Sequence, residues 1–310
     1  MLEQKKTSNL KTLLTALLVM ALWGSLFPMV KVGYSTFRIA SSDIPTIILF
    51  AGLRFTLCGI ILLAFCSVRA KRVELPARSH LSYIIWGGFF SIILHYSFTY
   101  VALAIGEGSK SAIIKQVGFL FLSCFAFLFD KNDKFSVYKV IAGGLGFCGI
   151  IATATDGTGL HFAIGDLLLL LASVCSVVST LVTKKATQKV SPVAFTGYSQ
   201  LIGGVFLLIL GLSLGGSIAY IDLSAVLALI YICGASIVAY TLWNSLLKTG
   251  NISKLSVIKF TEPLFAVLFS GIILHENIFR LSYLAAFLLL IAALLIENRP
   301  WRRKNESENI

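Results

Sequence analysis

Four ionisable side chains stand inside otherwise apolar stretches of this chain: Arg54, Lys115, Lys259 and Glu262. Basic groups in such places can hold a carboxylate or a phosphate, while a glutamate can pair with them, receive an ammonium or carry a proton. The two lysines are related to each other. The twenty residues from Tyr96 to Lys115 recur without a gap from Tyr240 to Lys259, 144 positions later. Matches fall at Tyr96/Tyr240, Leu103/Leu247, Gly106/Gly250, Ser109/Ser253, Lys110/Lys254, Ile114/Ile258 and Lys115/Lys259. Such agreement is the trace of an internal duplication. It puts a lysine at the same place in each copy.

Depth follows from helix geometry. Counted at about 1.5 Å per residue from Ser109 and Ser253, read as helix N-caps, Lys115 and Lys259 each lie about 9 Å into a membrane, entering from opposite faces. Glu262 lies about 14 Å deep, and Arg54 at a comparable depth. All four are candidates for one cavity near the midplane. A charge facing lipid there costs about 2.5–3.5 kcal/mol, so the four must face the interior and some must pair. Glu262 follows Lys259 by three positions, on one face of a continuous helix, and pairing between them is expected. Lys115 and Arg54 are then left without an acid in any span, an excess of two positive charges that an anionic group on a substrate balances. Arg54 has a second reading, as a brace for backbone carbonyls, and Glu262 one as a proton-coupling carboxylate. Tyr96, Tyr240, Trp243 and Asn244, with His95 nearby, read either as pocket walls or as interior packing. Pro28 and Pro263 read as hinges or as plain kinks.

The elements that must position these groups are membrane helices. Apolar residues make up 57% of the 310 and charged ones 13%, too few to coat a soluble domain of this length. The mean hydropathy is +0.89. Ten apolar runs, each near the roughly 20 residues that cross a hydrocarbon core, fall at about 12–33, 45–67, 81–104, 110–129, 137–155, 165–184, 192–213, 223–247, 253–274 and 281–296. With the N-terminus taken as cytoplasmic, nineteen of the 26 Lys and Arg fall in cytoplasmic segments and four outside, namely Lys31, Arg38, Lys110 and Arg280. This positive-inside pattern predicts a multi-pass protein of the cell inner membrane with both termini cytoplasmic. Five spans per copy is an odd number, so the copies insert oppositely. The predicted fold class is an all-α membrane protein of ten transmembrane helices in a 5+5 inverted repeat. Its halves are 1–155 and 160–298, and a cytoplasmic tail covers 299–310. Gly143, Gly144, Gly146, Gly149, Gly203 and Gly204 mark close helix contacts, within one chain or across a homodimer.

Several classes are excluded by what the chain lacks. The net charge of +12 is spread over loops and has no basic patch interleaved with stacking aromatics, so no nucleic-acid partner is expected. The first run is too long for a signal peptide and is expected to stay. Six cysteines, Cys58, Cys66, Cys124, Cys148, Cys175 and Cys233, sit in spans without paired spacing and read as apolar packing residues. No zinc-protease, Mg²⁺ or nucleophile-elbow motif and no P-loop is present, so no metal, cofactor or catalytic residue is expected. The integral membrane enzyme and the receptor remain as alternatives to a carrier.

Trp23-Gly24, Arg54-Phe55, Gly165-Asp166, the stretch Ala239-Tyr240-Thr241-Leu242-Trp243, and the segment from Thr261-Glu262-Pro263 through Glu276 together resemble the drug/metabolite transporter superfamily, in its ten-span branch with two EamA repeats. The resemblance covers roughly 12–297. The first copy departs from the pattern in span four, where Gly118-Phe119 replaces the proline and an Asp130–Asp133 cluster replaces the closing acid. The resemblance implies secondary transport of a small metabolite by alternating access, often export of amino acids or related compounds.

Overall fold

The structure is a computed structural model. It describes residues 2–70, 76–125, 163–250 and 252–277, with single positions or short pieces at 128, 137, 141, 144–145, 148, 283–285, 288–289 and 291–292. Every regular element among the described residues is helical. In chain order they are α1 (Leu2–Thr36), α2 (Ile44–Ala70), α3 (Leu81–Gly88), α4 (His95–Ile105), α5 (Gly108–Ile114), α6 (Val117–Phe125), α7 (Ile164–Ala186), α8 (Pro192–Ser213), α9 (Leu223–Thr249), α10 (Ile252–Lys259) and α11 (Glu262–Leu274). A wide turn of π-helix, Phe89–Leu94, joins α3 to α4. Among the described residues, six stretches are long and apolar enough to cross a membrane: Leu10–Thr36, Ile44–Val68, Arg78–Ile105, Ile164–Ala186, Pro192–Ser213 and Leu223–Thr249. The expected spans 137–155 and 281–296 lie largely outside the described residues, as do Gly143, Gly146 and Gly149.

Helix starts are written in local chemistry. Asp222 Oδ1 accepts from the Ala225 amide at 2.8 Å and Ser191 Oγ from the Ala194 amide at 3.2 Å, capping α9 and α8. Pro192 occupies the first turn of α8, where its missing N–H costs nothing.

The tightest seam runs between α2 and α8, which are antiparallel. Gly52 and Gly59 on one helix and Gly197, Gly204 and Gly211 on the other repeat at seven-residue intervals. A Cβ on Gly52 would lie 2.3 Å from the Leu208 amide nitrogen, one on Gly204 2.3 Å from that of Thr56, and one on Gly211 2.6 Å from that of Leu49. Lipid offers no hydrophobic drive between helices, so backbone approach of this kind holds the pair together. These are the second expected span of each half. Gly204 therefore serves a contact within one chain, and Gly203 does too, abutting Ile92. On the other side α1 packs along α9 and α11, while α4 packs on α7.

Spans four and nine are not continuous. α5 stops at Ile114 and α6 starts at Val117; α10 stops at Lys259 and α11 starts at Glu262. Both breaks fall at the repeated lysines, and their causes differ. In the second copy Pro263 has no N–H to give to the carbonyl four residues back, that of Lys259, and its ring crowds that carbonyl. In the first copy Gly118 stands where Glu262 stands in the second, and the break is held from outside. Ser173 of α7 donates from Oγ to the Lys115 carbonyl at 2.8 Å and accepts from the Gly118 amide at 2.5 Å. A Cβ at Gly118 would sit 2.4 Å from that hydroxyl.

The expected N-caps also shift. α5 begins at Gly108 with Glu107 at the cap position, so Ser109 lies in the first turn, and α10 begins at Ile252, ahead of Ser253.

Candidate functional site

Between α1, α2, α4, α7, α8, α9 and the two helix breaks lies a cavity with about 850 Å³ of atom-free space, solvent at its mouth included. Arg54, Tyr96, Lys115, Tyr240, Trp243, Asn244, Lys259 and Glu262 all line it. The eight residues singled out from the sequence thus meet in one place, brought from five different helices and the α5–α6 turn.

Their pairing differs from expectation. Lys115 Nζ approaches Glu262 Oε1 at 3.9 Å, an ion pair between the two copies, with Glu262 1% exposed. Lys259 does not pair with Glu262. The break at Phe260–Thr261 removes the continuous helix face on which a three-residue spacing brings side chains together. Lys259 is enclosed by rings instead, 3.7 Å from the centroid of Phe119, 4.6 Å from Trp23 and 5.4 Å from Trp243. Aromatic faces stabilise an ammonium without neutralising it. Among the described residues no carboxylate lies within 4.0 Å of it.

Arg54, 1% exposed, binds hydroxyls rather than backbone carbonyls. Ser236 Oγ accepts from Nε at 3.1 Å and from Nη2 at 2.6 Å, Tyr100 accepts from Nη1, and the guanidinium lies 4.6 Å over Phe55. Tyr34 in turn donates to the Tyr100 carbonyl at 3.1 Å, fixing that helix against α1. Arg54 is therefore both a brace between α2, α4 and α9 and a positive wall of the cavity. The described lining residues include three basic side chains and one carboxylate, a formal excess of two positive charges.

The repeat mates Tyr96 and Tyr240 meet each other, the Tyr240 hydroxyl donating to that of Tyr96 at 2.7 Å. Trp23 stands edge-on to Tyr240 and Trp243. Asn244 Nδ2 donates to Thr196 Oγ1 at 2.8 Å. His95 lies 2.7 Å by Nδ1 from the Ala172 carbonyl, which can only accept, so that nitrogen carries the proton. Sequence reasoning missed Ser173, for which no local signal exists, and Gln200, an amide inside an apolar span that was there to be read.

Among the described residues, different contacts stand at the two ends of the cavity. At one end Lys31 Nζ donates to the Gly106 carbonyl at 2.8 Å and lies 3.5 Å from Glu276 Oε1, which accepts from the Gly108 amide at 3.0 Å. His275, at φ 55°, turns Glu276 into this clasp. Lys110 pairs with Asp166 beside it at 3.1 Å. At the other end, among the described residues, Gln188 Nε2 donates to the Lys248 carbonyl beside the matching turn at 2.7 Å. The polar lining of α7, from Ser176 to Thr183, runs toward that end.

Removal of the Glu262 carboxylate tests the cross-copy pair. Glu262→Gln is expected to destabilise the purified protein by about 3–5 kcal/mol, because it strands the Lys115 charge in the interior. Lys115→Met added to it is expected to recover most of that loss in thermal unfolding. A Glu262→Gln protein as stable as the native one would show that Lys115 does not depend on the carboxylate.

The sequence pattern of the EamA-like transporter family matches residues 10–155 and again 163–297. The chain is 28% identical to the uncharacterized transporter YvbV of Bacillus subtilis, over 95% of this chain and 93% of that protein. It is 25% identical to a probable amino-acid metabolite efflux pump of Escherichia coli, over 93% and 95% respectively. It is also 25% identical to the uncharacterized inner membrane transporter YedA of Escherichia coli, over 90% and 91%. One crystal structure superposes with a TM-score of 0.69 at 18% identity, covering 94% of this chain and 98% of the other, a likeness of fold.

Proposed function

The chain belongs to the EamA-like transporter family, whose members are transporters and not enzymes, and from that premise we propose that it carries a small amino acid or organic anion across the cell inner membrane by alternating access. The observation that supports this most is the cavity itself. Lys115 and Lys259 line it at two broken helices, and one of them lacks a carboxylate partner among the described residues. A buried ammonium held only by rings is incomplete until an oxyanion meets it. Lys115, Lys259, Glu262, Arg54, Tyr96, Tyr240, Trp243 and Asn244 form the binding site in this reading. Half-helices ending at a central site are how many secondary transporters hold an ion while two repeats rock around it.

The molecule in this proposal is ten helices in two oppositely inserted halves, 1–155 and 160–298, with both termini and the 299–310 tail in the cytoplasm. The clasped end, with Lys31, Gly106 and Glu276, then faces outward, and the end where Gln188 meets the Lys248 carbonyl faces the cytoplasm. In this reading the polar lining of α7, from Ser176 to Thr183, leads toward the cytoplasmic end and suits the loading of an internal metabolite, so export is the direction proposed. The name of the Escherichia coli efflux pump points the same way.

Counterflow in proteoliposomes tests the reading. Vesicles preloaded with unlabelled L-amino acids, or with carboxylates, are expected to take up a labelled member of the same set against its gradient. Failure of every anionic or zwitterionic probe to exchange would remove the proposal. Exchange is expected without a pH gradient; an absolute requirement for one would instead assign Glu262 the coupling proton.

A further inference from the structure

Gln200 is 1% exposed, lines the cavity, and has no hydrogen-bond partner at either amide atom. A buried primary amide has two donors and one acceptor group, and leaving them all unmet is costly. Native interiors rarely keep such a group unless something else completes it. Gln116 is orphaned in the same way but does not line the cavity, so it gives no ligand argument. Trp23 does line it, is 7% exposed, and has an indole N–H without a partner, on the ring that also flanks Lys259.

Glu262 lines the cavity as well, and its Oε2 has no partner, an acceptor on the carboxylate that meets Lys115. The unmet groups are therefore of three kinds. Lys259 and the Trp23 indole offer only donors, which suit an oxyanion, and Glu262 Oε2 offers only an acceptor, which suits an ammonium. Gln200 offers donor and acceptor together, which suits a hydroxyl or a carboxamide. Its surroundings are of the same character: Ser176, Ser179, Thr180, Thr183 and Ser199 also line the cavity. Thr180 Oγ1 donates to the Ser176 carbonyl at 2.9 Å, and Thr196 Oγ1 to the Pro192 carbonyl at 2.7 Å. The Thr180 hydroxyl has given its hydrogen to its own helix and keeps acceptor lone pairs, whereas that of Thr196 also accepts from Asn244.

We propose that Gln200 determines specificity: the substrate's oxyanion sits at Lys259 and Trp23, and its other end is an uncharged hydrogen-bonding group, hydroxyl or carboxamide, read by Gln200. An apolar tail of the same shape is rejected because it leaves the amide unmet, the arrangement by which a polar site discriminates most strongly. This rests on the carrier reading above and narrows it.

The test is competition in counterflow between probes matched in shape: L-threonine against L-valine, L-asparagine against L-leucine, and glycerate against butyrate. The native protein is expected to favour the polar member of the pair it carries by about tenfold or more. Gln200→Leu is expected to erase or invert that preference, and Gln200→Met, closer in shape and flexibility, to do the same if the leucine variant folds poorly. Without substrate, either variant is expected to melt at a higher temperature than the native protein, since an orphaned amide has gone. A preference left unmoved by both variants, or absent from the native protein, overturns the role of Gln200. So does a lower melting temperature in both. Exchange of none of the six probes by the native protein overturns the carrier reading itself.

Discussion

Lys259→Met is expected to reduce substrate exchange by about 30-fold to a few thousand-fold while leaving the purified protein folded and at least as heat-stable as the native one. The range is that of truncating one side of a buried, hydrogen-bonded charge pair, about 2–5 kcal/mol, read at tenfold per 1.4 kcal/mol. The stability half of the expectation comes from the cage. Lys259 is 5% exposed and surrounded by Phe119, Trp23 and Trp243, so its charge lost water without gaining a carboxylate among the described residues. Methionine keeps the stem, fills the space between the rings and makes favourable sulfur–aromatic contacts. Exchange in proteoliposomes and thermal unfolding in detergent, on the same preparation, check both halves. Native exchange in this variant would mean that the anion is held elsewhere. Lost exchange with lost stability would make Lys259 a structural residue.

The second large effect concerns the fold. Gly204→Leu is expected to cost more than about 3 kcal/mol and to abolish a monodisperse preparation, and Gly52→Leu the same. The first atom of either new side chain would lie 2.3 Å from backbone nitrogen on the facing helix, and backbone cannot swing aside as a flexible side chain can. Relief requires α2 and α8 to separate along their length. Gly234→Ala, on α9 with nothing within 4 Å of its added carbon, is the control and is expected to be neutral or slightly stabilising. Size-exclusion profile and unfolding temperature read all three. A Gly204→Leu protein that elutes and melts like the native one would show that these helices do not meet there. The pair matters for transport too, since it joins the second expected span of each half.

The sequence and the folded chain answer different questions about the site. That Arg54, Lys115, Lys259 and Glu262 face one interior cavity was legible because a charge in lipid has so few places to go. That Tyr96 and Tyr240 belong together was legible from their shared register, and their hydroxyls do meet. Membership of the cavity extended equally to Trp243 and Asn244. The identity of each partner was not legible. Spacing predicted Lys259 with Glu262, as holds for an unbroken helix, and the break at Phe260–Thr261 handed the carboxylate to Lys115 of the other copy.

Pro263 was a visible cue for that break, whereas the break after Lys115 had none. It depends on Ser173, more than fifty positions away, whose hydroxyl bridges the Lys115 carbonyl and the Gly118 amide. Hydropathy, duplication and the depth of charged groups are properties of single segments, and these the sequence determined by itself: an apolar helical chain, doubled, with cations inside. Ion pairs, ring cages and helix breaks are properties of segments in contact. These follow from packing, because energies within a low-dielectric interior turn on a few ångströms between residues far apart in the chain.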